Sequence, residues 1–245
     1  MKKSNIILLS ALIVVLLSIT ISMIYIRSAL YEEVEKGDGN IQKESRHVLP
    51  FKNLEVRGNL TVHFVQDTVT GLIVEADSNL LEHINTDVEN DRMIISHNKG
   101  IRARNLKVHI MQEYLDEVKL NGGSRFLAEK PVKFGDIDLI ANGGARFEIA
   151  GEFEKMNLEL NAGSFARLSG QVKDFYISAI AGSNLKAKEL IADNVEINAT
   201  AGSNLEVYAV DRLSVTGSTG SNIYYHGEPR LENINTSTGA NLSKR

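Results

Sequence analysis

The sequence predicts an all-β protein: a single-domain, right-handed parallel β-helix of about 19 residues per coil, preceded by one N-terminal transmembrane helix. Two observations predict the β-helix. A glycine followed by Ser or Ala recurs through the second half of the chain, and the residues around each copy alternate between apolar and polar. A third observation, a long uncharged stretch near the N-terminus, predicts the membrane helix.

The glycine signal recurs every 18 to 21 residues. This period is too short for two helices per repeat or for a propeller blade, and the leucine-rich consensus is missing, so one coil of a solenoid remains. Glycine accepts the backbone conformation of a tight bend, and small neighbours let the chain fold close to its own core. The predicted structural turns are at Gly123, Gly144, Gly163, Gly182, Gly202, Gly220 and Gly239.

Alignment of the copies on the glycine places the same class of residue at the same offset, as stacked coils require. Odd offsets are apolar or small and even offsets mostly polar, which is typical of strands with one buried face. Rungs of such strands pair in parallel about 4.8 Å apart. Five residues before the glycine stand Val118, Leu139, Leu158, Ile177, Ile197, Val215 and Ile234. Three residues after it stand Phe126, Phe147, Ala166, Leu185, Leu205, Ile223 and Leu242.

The position two residues after each glycine predicts an outward-facing ladder. Its amides can hydrogen-bond from coil to coil, and repeated side chains can also contact an extended ligand. Both interpretations, a stacking ladder and a contact surface, stay open. The candidate residues are Arg125, Arg146, Asn184, Asn204, Asn222 and Asn241, with Phe165 between the arginines and the asparagines.

Three segments follow from this pattern. Residues 1–27 form the membrane anchor or signal segment, residues 28–46 a solvated linker, and residues 47–245 the β-helix domain. Within the domain, residues 47–112 are irregular first coils and a cap, and residues 113–245 are regular repeats. We expect an earlier coil at Gly58, a turn of helix over residues 79–84 and a basic loop over residues 98–105.

The N-terminal stretch from Ile6 to Ile26 contains no charged residue and follows Lys2 and Lys3. It is long enough to cross a bilayer, and Ser18-Ile19-Thr20 is a poor cleavage site, so an uncleaved anchor is favoured over a removed signal. The preceding lysines orient the N-terminus inwards. The remainder of the chain is then outside the cytoplasm, in the periplasm or at the surface.

Composition and charge exclude several classes of protein. No cysteine is present, which removes disulfide frameworks, thiolate metal sites and lipoprotein anchors. After residue 27 the chain carries 24 basic and 31 acidic residues, a net charge of −7 that argues against a nucleic-acid partner. The six histidines lack metal-ligand spacing, and no phosphate or dinucleotide motif occurs, so we expect no metal and no cofactor. Glu75 and Asp77 share one strand face but are predicted to be an exposed strand end, not a catalytic pair.

Three segments resemble a known family. They are residues 51–62, residues 72–81, and the Gly-Ser units that end in residues 223–229. Over residues 48–243 the chain resembles the putative auto-transporter adhesins with a head GIN domain, found in Bacteroidota envelopes. The resemblance implies a β-helix and an exported envelope or surface role. Family members often carry Gly-Gly-Ser-Asp, and this chain has Arg, Phe or Asn in the last slot, so an acidic, cation-binding ladder is not expected.

These observations lead to a functional hypothesis. We expect a non-enzymatic, membrane-anchored envelope protein that presents a rigid β-helix face to a polysaccharide or to another envelope protein. One alternative is a carbohydrate-active β-helix enzyme of the polysaccharide-lyase type. Another is a scaffold that associates end to end into homo-oligomers, because the sequence stops at Leu242 to Arg245 without a capping helix, although Lys244 and Arg245 would oppose that association.

Overall fold

The structure, a computed structural model, describes residues 12–23, 25, 34–98, 100–103, 105–237 and 239–245. Within this part of the chain the secondary structure is almost entirely β. One 3-10 helix spans Ser78–His83, as the sequence predicts for this region. The strands are β1 Glu35–Lys36, β2 Ile41–Arg46, β3 Asn53–Arg57, β4 Thr61–Gln66, β5 Gly71–Asp77, β6 Ile84–Glu89, β7 Arg92–His97, β8 Ile101–Arg102, β9 Lys107–Gln112, β10 Glu117–Asn121, β11 Arg125–Ala128, β12 Val132–Asn142, β13 Arg146–Asn161, β14 Phe165–Ala179, β15 Asn184–Ala199, β16 Asn204–Gly217, β17 Asn222–His226, β18 Arg230–Thr236 and β19 Asn241–Lys244.

The predicted β-solenoid is confirmed, and the described residues wind through about seven turns. From β10 to β19 every strand pairs in parallel with its copy in the next coil. The column that starts at Phe126 pairs rung by rung to Leu242, as the alignment predicts. The period of two in the sequence therefore selects which side chains enter the core. The right-handed winding stays a prediction.

The core is a continuous stack of apolar side chains along the solenoid axis. Phe64 and Phe126 stack with ring centroids 5.5 Å apart, and Phe126 meets the Phe147 ring edge-on at 6.1 Å. A second stack joins Phe134 and Phe153 at 6.3 Å. Such aromatic pairs add to the stabilisation that comes from burial alone. Each rung is thus packed against its two neighbours, which makes the solenoid rigid along its axis.

The turn contains two consecutive residues in the left-handed region. All seven predicted glycines have φ between 71° and 78°, and the residue before Gly182 is Ala181 with φ of 56°. A Cβ added at Gly182 or Gly202 would meet no atom within 4 Å. At these two positions glycine is therefore needed for its backbone conformation alone. The small neighbours Ser183 and Ser203 are fully buried, as the prediction of close packing beside the glycine requires.

Close packing instead requires glycine at another corner of the coil. Gly151 and Gly170 pair in register on β13 and β14. A Cβ on Gly170 would lie 2.0 Å from the Gly151 carbonyl oxygen, and one on Gly151 would lie 2.3 Å from the Val132 carbonyl oxygen. Because these contacts are between backbone atoms of neighbouring coils, the repeat pattern of the sequence does not reveal them.

The first coils are stacked in an order that differs from the chain order. β3 pairs in parallel with β7 on one side and β10 on the other, and β4 lies between β9 and β11 in the same way. Gly58 joins β3 to β4 with φ of 94°, so the earlier coil expected at this glycine is present. Beyond that rung the pairing becomes antiparallel through β5, β2 and β6, which closes this end of the solenoid.

Residues 41–46, which the sequence assigns to a linker, form the edge strand β2. β2 pairs antiparallel with β5 along its whole length. Its side chains are exposed, so no apolar period reveals it, and its position is held by backbone pairing and by Arg46. The Arg46 guanidinium donates to the Leu81 carbonyl at 2.9 Å and to Thr86 Oγ1 at 3.1 Å.

Two other expectations need correction or restriction. Ile234 does not continue its apolar column, because Asn233 adopts φ of 49° and shifts the register of β18, which leaves Ile234 41% exposed. The anchor predicted at residues 6–26 lies partly outside the described residues, although residues 12–23 are helical. Among the helices that the structure describes, none has both the length and the apolar content needed to cross a bilayer.

Candidate ligand-contact face

The structure places the predicted ladder in one unbroken column. The column runs from Arg125 through Arg146 and Phe165 to Asn241, each residue in register with the next. A second outward column lies two residues further along each strand and includes Glu148, Arg167, Lys186 and Glu206. We call these two columns together the front face. Because neighbouring rungs are about 4.8 Å apart, the front face presents side chains at a regular spacing along the axis.

Arginines concentrate at one part of the front face. The Arg146 guanidinium carbon lies 4.8 Å from the centroid of the Phe165 ring, and that of Arg167 lies 5.7 Å from it. Glu148 lies between the two arginines, with N···O distances of 3.9 Å to Arg146 and 3.7 Å to Arg167. Both guanidinium groups are about half exposed, so these long ion pairs contribute little and leave the arginines available to a ligand.

Arg125 continues the arginine series to a depression next to the first coils. This depression has a volume of about 470 Å³. Arg102 of β8 also lines it, together with Asn59 and Thr61. Neither Arg102 nor Arg125 has a carboxylate partner among the described residues. We call Arg102, Arg125, Arg146 and Arg167, with Phe165 and Glu148, the arginine patch.

The asparagine part of the column does not form the predicted amide ladder. Asn184, Asn204, Asn222 and Asn241 stack in register, but none of their amides donates to another member of this set. Coil-to-coil amide bonds occur instead two residues before the glycine. There Asn142 Nδ2 donates to Asn121 Oδ1 and Asn161 Nδ2 donates to Asn142 Oδ1, each at 3.1 Å. The front-face amides are therefore not used by the fold in this way.

A small residue, Ser in five coils and Ala in two, follows each repeat glycine. The Ser183 hydroxyl shares its single proton between two carbonyl oxygens, those of Leu160 at 2.9 Å and Ile180 at 2.6 Å, and Ser203 makes the equivalent contacts. Equivalent hydroxyls at Ser124 and Ser221 are buried without a partner. The serine therefore stabilises the turn only in some of the coils that contain it.

Glu75 and Asp77 are not an exposed strand end, because both carboxylates are largely buried in the cap. Glu75 Oε2 accepts from Lys43 Nζ at 3.2 Å and pairs with His109 Nε2 at 3.3 Å. Burial raises the pKa of Glu75, but the bonds from Lys43 and His109 outweigh it and hold the pKa below its usual range. Asp77 Oδ1 accepts from the Gly39 amide at 2.8 Å. Both acids therefore tie β2 and the preceding loop to the cap.

His63, His83, His109 and His226 each lie beside a carboxylate. His63 and His109 stack in neighbouring rungs with ring centroids 5.1 Å apart, and His63 Nδ1 lies 2.9 Å from Glu129 Oε1. His226 Nε2 lies 3.0 Å from Glu206 Oε1. No group of three or more metal-ligating side chains comes together in the part of the chain that the structure describes.

Sequence reasoning missed Arg102, Arg167 and Glu148 as members of this site. Arg167 and Glu148 share the offset of four residues after the glycine, so comparison of that column as well would have identified them. Arg102 has no such signal, because it lies on β8, which pairs with β1 and belongs to no rung, and it is related to Arg125 only through the depression that both line.

The fold defines a β-solenoid protein whose front face carries side chains in register along the axis. The chain belongs to the family described as "putative auto-transporter adhesin, head GIN domain", whose model matches residues 50–229. No curated protein matches the chain.

Three solved structures are similar in fold. A putative adhesin from Bacteroides fragilis NCTC 9343 has a TM-score of 0.79 at 17% identity, covering 86% of this chain and 100% of the other. A putative lipid binding protein from Parabacteroides distasonis ATCC 8503 has a TM-score of 0.67 at 18% identity, with coverage of 87% and 100%. A putative adhesin from Parabacteroides merdae ATCC 43184 has a TM-score of 0.65 at 16% identity, with coverage of 86% and 98%. At these identities the likeness concerns the fold alone.

Proposed function

We propose that this chain is a non-enzymatic, adhesin-type binding module of the cell envelope, and that its front face contacts an extended polysaccharide or protein partner. The observation that carries the proposal is the unbroken register of outward-facing side chains from Arg125 to Asn241, two arginines, Phe165 and then four asparagines. A rigid surface with side chains at a fixed spacing matches a partner that is itself extended and repetitive.

Two features support the remaining parts of the proposal. The family and two of the three similar structures above are described as putative adhesins, which favours an envelope or surface location. The uncharged segment at residues 6–26 supports a membrane anchor that holds the front face outside the cytoplasm. The lyase-type alternative loses its candidate carboxylate pair, because Glu75 and Asp77 are engaged in contacts within the cap.

The test replaces Asn184, Asn204 and Asn222 with Ala together in the full chain, and measures binding to arrayed bacterial surface polysaccharides and to purified envelope proteins. These amides are not bonded to one another, so we expect a small change in melting temperature and a loss of at least about tenfold in affinity. The matched control replaces Asn121 and Asn142, whose amides are bonded coil to coil, and should lower the melting temperature while binding is kept.

Absence of binding to any arrayed partner would refute the proposed function. Equal losses in the two sets of variants would also refute it, because the front face would then have no special role.

A further inference from the structure

We infer that the arginine patch binds an acidic polysaccharide, one that carries carboxylate or sulfate groups along its length. This inference rests on the proposed function and adds to it the chemical class of the ligand and the part of the front face that selects it. The juxtaposition that points to it is Arg125, Arg146 and Arg167 on three successive rungs, with Arg102 beside Arg125 at the depression.

The charge distribution favours an anionic ligand at this patch. The chain beyond residue 27 carries a net charge of −7, so its acidic residues outnumber its basic ones overall. The arginine patch has four guanidinium groups and one carboxylate, Glu148. A basic patch on an acidic protein attracts an anionic ligand to that patch and repels it elsewhere.

The chemistry of the side chains favours carboxylate and sulfate as the recognised groups. Guanidinium groups bind carboxylate and sulfate through two parallel N–H donors, which lysine does not provide. Phe165 is half-buried and contacts Arg146 and Arg167 through its ring, so it restricts both guanidinium groups before a ligand arrives. Such restriction lowers the entropic cost of binding.

The spacing of the arginines along the axis favours an extended polymer. Arg125 and Arg146 are direct partners in adjacent rungs, so their backbones are separated by about 4.8 Å along the axis. The depression of about 470 Å³ beside Arg125 and Arg102 is large enough to hold one sugar unit at the end of the line. An extended polymer with an anionic group on successive units can thus contact several arginines at once.

A polysaccharide fits the patch better than a nucleic acid or a membrane. Base stacking requires exposed aromatic rings, and the aromatic ring of the patch, Phe165, is already covered by two arginines. Insertion into a membrane requires apolar side chains around the basic ones. Val34, Ile101, Ala103 and Leu106 line the depression together with its polar residues. Along the rungs, however, the side chains next to Arg146 and Arg167 include Glu148 and Lys186, which do not enter a bilayer.

The experiment measures binding of the full chain to polygalacturonate, to dextran sulfate and to neutral dextran by biolayer interferometry. The first two polymers distinguish carboxylate from sulfate as the recognised group, and either one supports the inference. We expect binding to at least one of them and not to dextran, and weaker binding as salt is raised. The double variant Arg125→Glu and Arg146→Glu should bind at least about tenfold more weakly.

The control is Lys173→Glu with Lys133→Glu, which makes the same change of charge at exposed positions away from the front face. It should bind as the unmodified chain does. Three results would overturn the inference: no preference for the charged polymers over dextran, equal losses in both double variants, or equally tight binding of single-stranded DNA or anionic lipid vesicles at the same arginines.

Failure of this inference is separable from failure of the proposed function. If arrayed envelope partners bind and the asparagine variants lose them, but polygalacturonate and dextran sulfate do not bind, the proposed function stands and the acidic ligand class is wrong. Melting temperatures of all variants, measured in parallel, show that a loss of binding is not a loss of fold.

Discussion

Replacement of Gly170 with Ala should be much more destabilising than replacement of Gly182 with Ala, although the sequence marks only Gly182 as a repeat position. Both glycines have positive φ, 110° and 73° respectively. They differ in their surroundings: a Cβ on Gly170 would lie 2.0 Å from the Gly151 carbonyl oxygen, and a Cβ on Gly182 would meet nothing within 4 Å.

The magnitudes follow from this geometry. Gly182→Ala pays only for the left-handed backbone, about 1–2 kcal/mol. In a domain of this size each kcal/mol shifts the melting temperature by roughly 2–4 °C. Gly170→Ala adds a clash between the new Cβ and the backbone of the paired strand. Only separation of β13 from β14 can relieve this clash, so we expect the free energy of unfolding to fall by more than about 4 kcal/mol.

The assay is thermal and urea unfolding followed by far-ultraviolet circular dichroism. The control is Lys186→Ala, a substitution at an exposed position of β15. The control should change the free energy of unfolding by less than about 0.5 kcal/mol. If Gly170→Ala proves no more destabilising than Gly182→Ala, the close approach of the two coils at this corner is wrong.

Three further outcomes are expected, each measured as the free energy of unfolding. Ala181→Gly should stabilise the protein by up to about 1 kcal/mol, since φ of 56° strains alanine; a destabilised variant would contradict the turn geometry. Ser183→Ala should cost about 1 kcal/mol through loss of its shared hydroxyl hydrogen bond, whereas Ser221→Ala should be neutral or stabilising; equal costs would count against the assigned bonding. The hydrogen bond from Arg57 lowers the pKa of Glu55, so stability from this pair is present above the ordinary pKa of a glutamate and is lost as pH falls through the lowered value. Glu55→Gln and Arg57→Gln should each reduce, by similar amounts, the fall of the free energy of unfolding with decreasing pH in the acid range. An unchanged pH dependence in either variant would refute the pairing.

The repetitive part of the fold could be predicted because each coil solves the same local problem. The apolar column through Phe126 and the glycine before it recur with one offset, and parallel stacking then follows for every copy. The same alignment identified the column that contains Arg125 and Asn204 as an outward row. It could not show that the amides of that row are unbonded to one another while those of Asn121 and Asn142 are bonded, because side-chain rotamers depend on the neighbouring rung.

The sequence by itself determined the period, the buried residues and the position of the turns, since these depend on alternation and on glycine within one coil. Only the tertiary structure decided three features: the stacking of β7 against β3 out of chain order, the edge strand β2, and the close approach of neighbouring coils at Gly151 and Gly170. It also placed Arg102 beside Arg125 at the depression that both residues line. The physical reason is the same in each case: these features depend on contacts between segments far apart in the chain, for which the local pattern of residues carries no information.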